Sequence, residues 1–222
     1  MYEFLSYPMA EYIPSYGKPS QKIGVSRKKS LSSGDSCNVF ELRFENHWGT
    51  HVDCPNHFFR KGMKAVNYPA AYWIFDRPQV VKLALRAGQP ASIDMFKGRI
   101  NNNTDLLILK SGWGKFRRKP VYSLRNPAIH PDTARWLRAN YRNLRAVGID
   151  WISVSSFSDR AMGRETHNAF LDPDSPGRPL LLIEDMKIPN KKNKLLKVTA
   201  LPLIFTNIDS APCTVIGEYN GK

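Results

Sequence analysis

Three of the chain's five histidines lie within the eleven residues from His47 to His57, and an aspartate lies between them. His51 and Asp53 are two residues apart, so on an extended backbone their side chains point to one face, with Cα atoms about 6.7 Å apart. An imidazole and a carboxylate at that spacing can bind one metal ion. On a straight strand His47 would be about 13 Å from His51, near or beyond the span of two ligands of one metal. We therefore predict a bend at Gly49, because glycine adopts turn conformations most readily.

The ligand set His/His/Asp suits Zn²⁺, and also Mn²⁺ or Fe²⁺, with positions left open for water. That pattern is typical of a catalytic site. The alternative, unrelated histidines that each make ordinary hydrogen bonds, is less consistent with the clustering. The three cysteines, Cys37, Cys54 and Cys213, are odd in number and irregularly spaced, which predicts neither a disulfide framework nor a cysteine zinc site. Cys54 is interpreted as a small buried residue rather than a nucleophile.

The chain is basic, with 33 Lys and Arg against 19 Asp and Glu and a net charge of +14. Such a balance suggests nucleic acid, an anionic surface or an anionic substrate as a partner. The positive charge collects around residues 27–29, 115–119 and 187–197, beside turn-forming residues, and is predicted to lie on solvated loops. Because no basic helix with interleaved aromatics or other nucleic-acid motif accompanies it, nucleic acid is not expected. No membrane-length apolar run or signal-peptide pattern is present, so a cytoplasmic protein is expected.

Short β-type runs dominate the pattern, and strands are predicted over residues 39–44, 80–85, 106–109, 146–152 and 180–183. The clearest helix signal begins at Pro131, with Asp132 in the favourable N-terminal position, and continues through apolar residues at three- and four-residue spacing: Trp136, Leu137, Tyr141 and Leu144. Its outer face would carry Arg135, Arg138, Arg142 and Arg145. A shorter helix is predicted around residues 93–96.

This order of strand, helix and strand predicts one α/β or α+β domain over residues 1–222 with a mixed sheet. Chemistry in such a domain sits on loops at the ends of strands.

The pattern His-x-Gly-Thr-His-x-Asp-x-Pro-x-His at residues 47–57 resembles the signature of the metal-dependent cyclase family, which includes bacterial kynurenine formamidase and isatin hydrolase. The similarity continues in order along nearly the whole chain. It covers Phe-Leu-Ser-Tyr-Pro at 4–8, Leu-Lys-Ser-Gly-Trp at 109–113, Val-Gly-Ile-Asp at 147–150 with Ser153, His167, Ile-Glu-Asp-Met at 183–186, Ala-Leu-Pro-Leu at 200–203 and Ser-Ala-Pro at 210–212. The resemblance implies a swivelling β/β/α fold with a mixed sheet, and a homodimer or larger assembly.

The resemblance also implies a site. His47, His51 and Asp53 would hold one metal, and Asp53, His167 and Glu184 a second, giving one or two Zn²⁺ per chain, with Mn²⁺ as the alternative. A metal-activated water would attack a carbonyl, and His57 would act as general acid and base. The reaction would be hydrolysis of a small amide, an aryl formamide or a cyclic amide. A cyclase or dehydratase reaction in a biosynthetic pathway, and a non-catalytic basic binding protein, are the alternatives.

Several features bear on the substrate. Two Zn²⁺ ions with about two carboxylates and one hydroxide would leave a net charge of roughly +1 in the cavity, which favours an anionic substrate. An aromatic substrate would need an aromatic pocket, for which the candidates, each equally consistent with core packing, are Trp48, Phe58, Phe59, Trp113 and Trp151.

Departures from the family pattern are Ser155 for Asp, Asp185 for Asn and Thr214 for Arg. Asp150 and Ser153 are interpreted as structural groups rather than ligands. The segment 172–179 looks longer than in compact formamidases, which would alter the rim of the pocket.

Overall fold

The computed structural model describes residues 1–221 and is built mainly from β-strands. The strands are β1 (Tyr2–Phe4), β2 (Tyr12–Ser15), β3 (Lys18–Lys22), β4 (Gly24–Lys29), β5 (Val39–Arg43), β6 (His51–Asp53), β7 (Ile74–Phe75), β8 (Pro78–Lys82), β9 (Pro90–Ala91), β10 (Leu106–Lys110), β11 (Ala128–Ile129), β12 (Ala146–Ile149), β13 (Leu181–Glu184), β14 (Leu195–Pro202) and β15 (Ala211–Tyr219). The α-helices are α1 (Val121–Leu124), α2 (Pro131–Asn140) and α3 (Arg160–Leu171). Short 3₁₀ helices, including Pro55–His57, join them.

Nine of these strands form one mixed sheet in the order β7-β14-β15-β6-β13-β12-β10-β8, with β1 paired to β15. Strands β8, β10, β12 and β13 are parallel, whereas β6, β15 and β14 are antiparallel to their neighbours. The carboxyl ends of the parallel strands meet at one edge, and the antiparallel β6 begins at that same edge. The mixed sheet predicted from the sequence is confirmed.

The central strands are near-continuous apolar runs because both faces of the sheet are covered. Along β10, Leu107 and Leu109 pack into the core cluster that includes residues of α2 and α3. Leu106 and Ile108, which alternate with them, pack into the second cluster, under the N-terminal and C-terminal strands. This period of two fixes the register of β10 and of the strands paired to it.

Helix α2 begins as predicted. The His130 side chain accepts a hydrogen bond from the backbone N–H of Asp132, and Pro131 occupies the first turn. The predicted outer face is wrong at Arg138, which is only 4% exposed. Its guanidinium donates hydrogen bonds to backbone carbonyls at and beyond the end of α3, those of Ala169, Asp172, Ser175 and Gly177. The segment 172–177 therefore covers this face of α2, and α2 itself ends before Tyr141 and Leu144.

The strand predictions are confirmed at 106–109, and the strand predicted at 180–183 lies at Leu181–Glu184. The run 80–85 belongs to a strand that ends at Lys82, and the run 146–152 to one that ends at Ile149. The strand at 39–43 pairs only with β4 in an exposed two-stranded sheet, so its alternation does not mark a core face. Residues 27–29 lie in β4 rather than in a loop, and residues 93–95 form a 3₁₀ helix. Within residues 1–221, no helix has the length and apolar character needed to cross a membrane.

Candidate metal centre

Strand β6 and strand β13 place three predicted ligands side by side. The pleat of β6 directs His51 and Asp53 to one face and buries Val52 in the core on the other. Antiparallel pairing sets Glu184 opposite His51. The Nε2 atom of His51 lies 3.5 Å from Asp53 Oδ1 and 3.6 Å from Glu184 Oε2. The two-residue spacing thus places His51 and Asp53 on one face of the short strand β6, as expected for an extended backbone.

His47 reaches the same point through a bend in the chain. Gly49 has φ of +72°, a left-handed conformation that favours glycine, at the predicted position of the bend. Across this bend the Nδ1 atom of His47 lies 3.0 Å from Asp53 Oδ1. Burial lowers the pKa of His47, but the carboxylates of Asp53 and Asp209 outweigh it and raise the pKa to about 10.

His167 comes from α3, which follows β12 and packs over this edge of the sheet. Its Nδ1 atom lies 2.8 Å from Ser155 Oγ and 3.0 Å from the carbonyl of Gly163. A carbonyl only accepts, so Nδ1 carries the proton and Nε2 presents a lone pair. That Nε2 atom lies 3.7 Å from Asp53 Oδ2 and 3.8 Å from Glu184 Oε1. Two buried carboxylates therefore face an imidazole lone pair.

The same orientation holds for His51, whose Nδ1 donates to the carbonyl of Gly49 at 2.9 Å. Burial lowers the pKa of His51, which keeps its Nε2 unprotonated toward the carboxylates. Asp53 Oδ1 is buried; within the described residues it contacts His47 Nδ1 at 3.0 Å but has no hydrogen bond of regular geometry. Burial raises the pKa of Glu184 well above its usual range, and the nearby charge of Asp53 raises it further. Two imidazole lone pairs that face two buried carboxylates fit a bound cation.

The chemical types of the candidate ligand atoms also fit a bound cation. Ligand atoms of His51, Asp53 and Glu184 lie within 4.8 Å of one another, as do those of His47, Asp53 and His57. Nitrogen and carboxylate donors of this kind suit a divalent transition metal or Zn²⁺. All six predicted site residues line one cavity. Which of them bind metal and which transfer protons stays a prediction.

His57 ends the 3₁₀ helix that follows β6, and it contacts a residue that the sequence analysis missed. Its Nδ1 atom lies 2.7 Å from Asp209 Oδ2, and His47 Nε2 lies 3.3 Å from the same oxygen. The side chain of Asn46 donates to Asp209 Oδ1 at 2.9 Å. Burial raises the pKa of Asp209, but the hydrogen bonds from the two histidines hold it far below its usual value. The available sequence signal was its position directly before Ser-Ala-Pro at 210–212.

A cavity of about 720 Å³ opens above the cluster. Beyond the candidate ligands and His57, it is lined by Tyr16, Phe58, Ile152, Ser153, Ser155, Arg160, Ala161 and Arg164. Of the five aromatic candidates only Phe58 lines it, with its ring stacked on His167 at 4.8 Å. The others are core residues or pack against the core: Trp48, Phe59, Trp113 and Trp151. No residue of 172–179 is among the lining residues, so that segment does not form the rim described here.

Comparison with known proteins places this site in a family. Residues 4–156 match the Cyclase family model. The chain belongs to the Cyclase family. Cyclase-like protein 2 of Oryza sativa subsp. japonica is 25% identical over 206 residues, which cover 86% of this chain and 69% of that protein. Kynurenine formamidase of Bacillus cereus (strain ATCC 14579) is 24% identical over 213 residues, 96% of this chain and 94% of that protein.

Solved structures share the fold of this cyclase-family chain. An isatin hydrolase bound to the product analogue thioisatinate superposes with a TM-score of 0.80 at 14% identity, covering 100% of this chain and 92% of that one. A protein described as a potential metal-dependent hydrolase with cyclase activity gives 0.73 at 18% identity, covering 98% and 96%. The predicted α/β fold is confirmed.

Two of the three departures from the cyclase-family pattern have clear structural roles; the third, Thr214, is exposed on β15. Ser155, in place of Asp, contacts His167 Nδ1. Asp185, in place of Asn, is fully buried with a positive φ of 51° and binds the Arg117 guanidinium through three contacts of 2.7–3.1 Å. The Tyr122 hydroxyl donates to it at 2.5 Å. Arg117 was predicted to lie on a solvated loop; that prediction is wrong, because this buried carboxylate draws it inward.

Asp185 also joins the two ligand-bearing strands. Its carbonyl accepts a hydrogen bond of 2.6 Å from the hydroxyl of Thr50, which precedes His51. Asp150 has the structural role predicted for it, accepting hydrogen bonds from the backbone N–H groups of Ser111 and Gly112. Cys54 is buried, and burial next to the charge of Asp53 raises the pKa of its thiol, so it is a core residue and not a thiolate.

Proposed function

We propose that this member of the Cyclase family is a metal-dependent hydrolase that cleaves the carbon–nitrogen bond of a small non-peptide amide, an aryl formamide or a cyclic amide. The observation that carries the proposal is the convergence of the His51 and His167 lone pairs on the buried carboxylates of Asp53 and Glu184, at the base of a cavity of small-molecule size. The kynurenine formamidase and isatin hydrolase relatives support an amide substrate.

The residues proposed to hold one or two Zn²⁺ ions, with Mn²⁺ as the alternative, are His47, His51, Asp53, His167 and Glu184. When bound, such an ion acidifies water and polarises a carbonyl. The protein's own part is to fix the imidazole tautomers: the carbonyls of Gly49 and Gly163 hold the Nδ1 protons of His51 and His167, so that each Nε2 is available as a ligand.

His57 is proposed to move the proton. The Asp209 carboxylate accepts a hydrogen bond from the Nδ1–H group of His57, which leaves Nε2 to take a proton from the attacking water and return it to the leaving nitrogen. The water thus adds to the carbonyl carbon and the C–N bond breaks. An aryl formamide gives formic acid and an arylamine, and a cyclic amide gives one molecule that carries both the carboxylic acid and the amine. An imidazole suits this exchange because its unperturbed pKa is about 6.5.

The first experiment is elemental analysis of tag-free protein after dialysis against trace zinc or manganese, followed by an assay with formanilide. We expect one or two ions per chain in the wild type, and loss of both metal and activity in His51→Ala. His130→Asn is the matched control, because it replaces a half-buried histidine at the α2 N-cap, distant from the site in sequence, with another good N-cap residue. A wild-type chain that binds neither metal would contradict the proposal.

His57→Ala separates the two roles open to that residue, since its imidazole lies among potential ligands as well as beside Asp209. We expect the variant to keep its metal and to lose turnover by about 100-fold or more. Loss of metal together with activity would assign His57 to the ligand set instead.

Product analysis separates hydrolysis from the alternative of cyclisation or dehydration, because hydrolysis consumes one water per turnover and the other reactions do not. A basic binding protein would instead bind polyanions with an affinity that falls steeply with salt and is unaffected by His51→Ala.

A further inference from the structure

One face of α3 is directed into the cavity. Arg160, Arg164 and His167 are spaced at i, i+4 and i+7 and all line it. The helix cannot easily shift, because Asp159 caps its first turn and Gly163 packs so closely on Ser155 that a Cβ at this glycine would lie 2.6 Å from the Ser155 side chain. The contacts that orient His167 therefore also fix the helix from which the two exposed arginines project into the cavity.

These arginines lack acidic partners. Within residues 1–221 no carboxylate oxygen lies within 4.0 Å of the Arg160 or Arg164 guanidinium. The adjacent Glu165 faces the other way and pairs with Arg135 at 2.7 Å. The three acids of the site are already in contact with histidines: Asp53, Glu184 and Asp209.

An apolar band accompanies the charges among the cavity walls. Phe58 stacks on His167, and Ile152 is almost fully buried. Tyr16 lies close enough to the site and to Arg160 for both to act on it: burial and the charge of Glu184 raise its pKa, Arg160 opposes them, and the pKa is about 12. A ligand that spans the cavity would meet the candidate ligands, a flat apolar wall and two guanidinium groups.

We propose that Arg160 and Arg164 form a carboxylate subsite, and that the preferred substrate is a small aryl amide carrying a carboxylate away from the bond to be cleaved. Guanidinium groups bind carboxylates through paired, charge-assisted hydrogen bonds, which supply orientation as well as affinity. The apolar wall accommodates the ring. This inference rests on the proposed function and names the substrate class for the same site.

Kinetics with matched substrates test the subsite. The probes are formanilide and its 3- and 4-carboxylate derivatives, with wild type and Arg160→Gln/Arg164→Gln. We expect the wild type to have a higher kcat/KM for at least one of the acids than for formanilide. In the double variant, kcat/KM for that acid should fall about tenfold or more, while kcat/KM for formanilide should change less than about twofold. Arg142→Gln, an exposed arginine beyond α2 that does not line the cavity, is the control and should change neither.

Equilibrium binding keeps this test separate from the proposed function. Titration calorimetry of 4-aminobenzoate and of aniline measures the subsite without turnover. Suppose that no formamide is hydrolysed, but 4-aminobenzoate binds the wild type and its affinity falls about tenfold in the double variant. The subsite then stands and the proposed reaction fails. If acid and neutral probes bind equally, or the double variant affects both substrates equally, the subsite is overturned.

Discussion

The base of the candidate site and its rim are built in different ways. At the base, His51 and His167 are each fixed by a backbone carbonyl, and Asp53 and Glu184 are almost completely buried. At the rim, side chains such as Arg160 and Arg164 are exposed, come from a single helix face and lack an acidic partner within the described chain.

The difference indicates which part fixes the chemistry and which part selects the substrate. A metal ion tolerates little error in ligand position, so its ligands need rigid support from hydrogen bonds behind them. A rim of exposed side chains can change without disturbing that support. If this division is correct, substitutions at the base should affect metal affinity, and substitutions at the rim should affect only substrate preference.

The largest effect is expected at Asp53, whose buried Oδ1 lies 3.0 Å from His47 Nδ1 and 3.5 Å from His51 Nε2. Asp53→Asn replaces a carboxylate shared by both candidate centres with a neutral amide. We expect zinc affinity, measured by competition with a chromophoric chelator, to fall by more than about 100-fold, since even residues that only orient ligands cost 10–100-fold. Asp150→Asn is the control: it alters a buried aspartate bound to backbone N–H groups and should leave affinity nearly unchanged. Equal losses in both variants would show general disruption rather than a ligand role.

A second test addresses the support behind Glu184. Arg117→Gln leaves the Asp185 carboxylate buried without its cation, and breaking such a pair costs about 3–5 kcal/mol of unfolding free energy. Adding Asp185→Asn removes the buried charge and restores the amide of the family pattern, so the double variant should recover most of that loss. Urea denaturation gives the free energy of unfolding of the wild type, both single variants and the double variant, which together form a double-mutant cycle. Additive losses would show that the two side chains are not coupled.

Ser155→Ala should have a smaller effect, because the Gly163 carbonyl still accepts from His167 Nδ1. We expect zinc affinity to fall about tenfold through looser orientation of the imidazole. Ser158→Ala, which removes an exposed hydroxyl bonded to Ser156, is the matched control. Unchanged affinity in Ser155→Ala would mean that Gly163 alone orients the ring.

Local patterns were sufficient to predict part of the base of the site and the start of α2, but not α3, which carries His167. The two-residue spacing of His51 and Asp53, the glycine at the bend and the proline at the start of α2 each act within a few residues of where they stand. Their physical causes, the strand pleat, the left-handed conformation and the missing N–H of proline, are local as well. The structure agrees with these predictions.

What could not be predicted depends on contacts distant in sequence. Arg138 follows the helical period of an exposed residue, but the segment 172–177 folds over it. Asp209 reaches His57 only because β15 pairs with β6. Arg117 and Asp185 are 68 residues apart, and nothing in the local pattern of either one indicates the other. Pairing of this kind is set by the tertiary fold, so charge and periodicity gave the wrong environment for Arg117 and Arg138.

The smallest effect is expected at Phe58, a rim residue that is 36% exposed and stacks on a ligand candidate, His167. Phe58→Leu keeps an apolar side chain but removes the flat face. We expect KM for an aryl formamide to rise about threefold, because an offset aromatic contact is worth about 0.5–1.5 kcal/mol. Zinc affinity should stay the same, since Ser155 and Gly163 hold the imidazole from behind. A tenfold loss of zinc affinity would break the division between base and rim, because the stacked ring would then be part of the support for the metal centre.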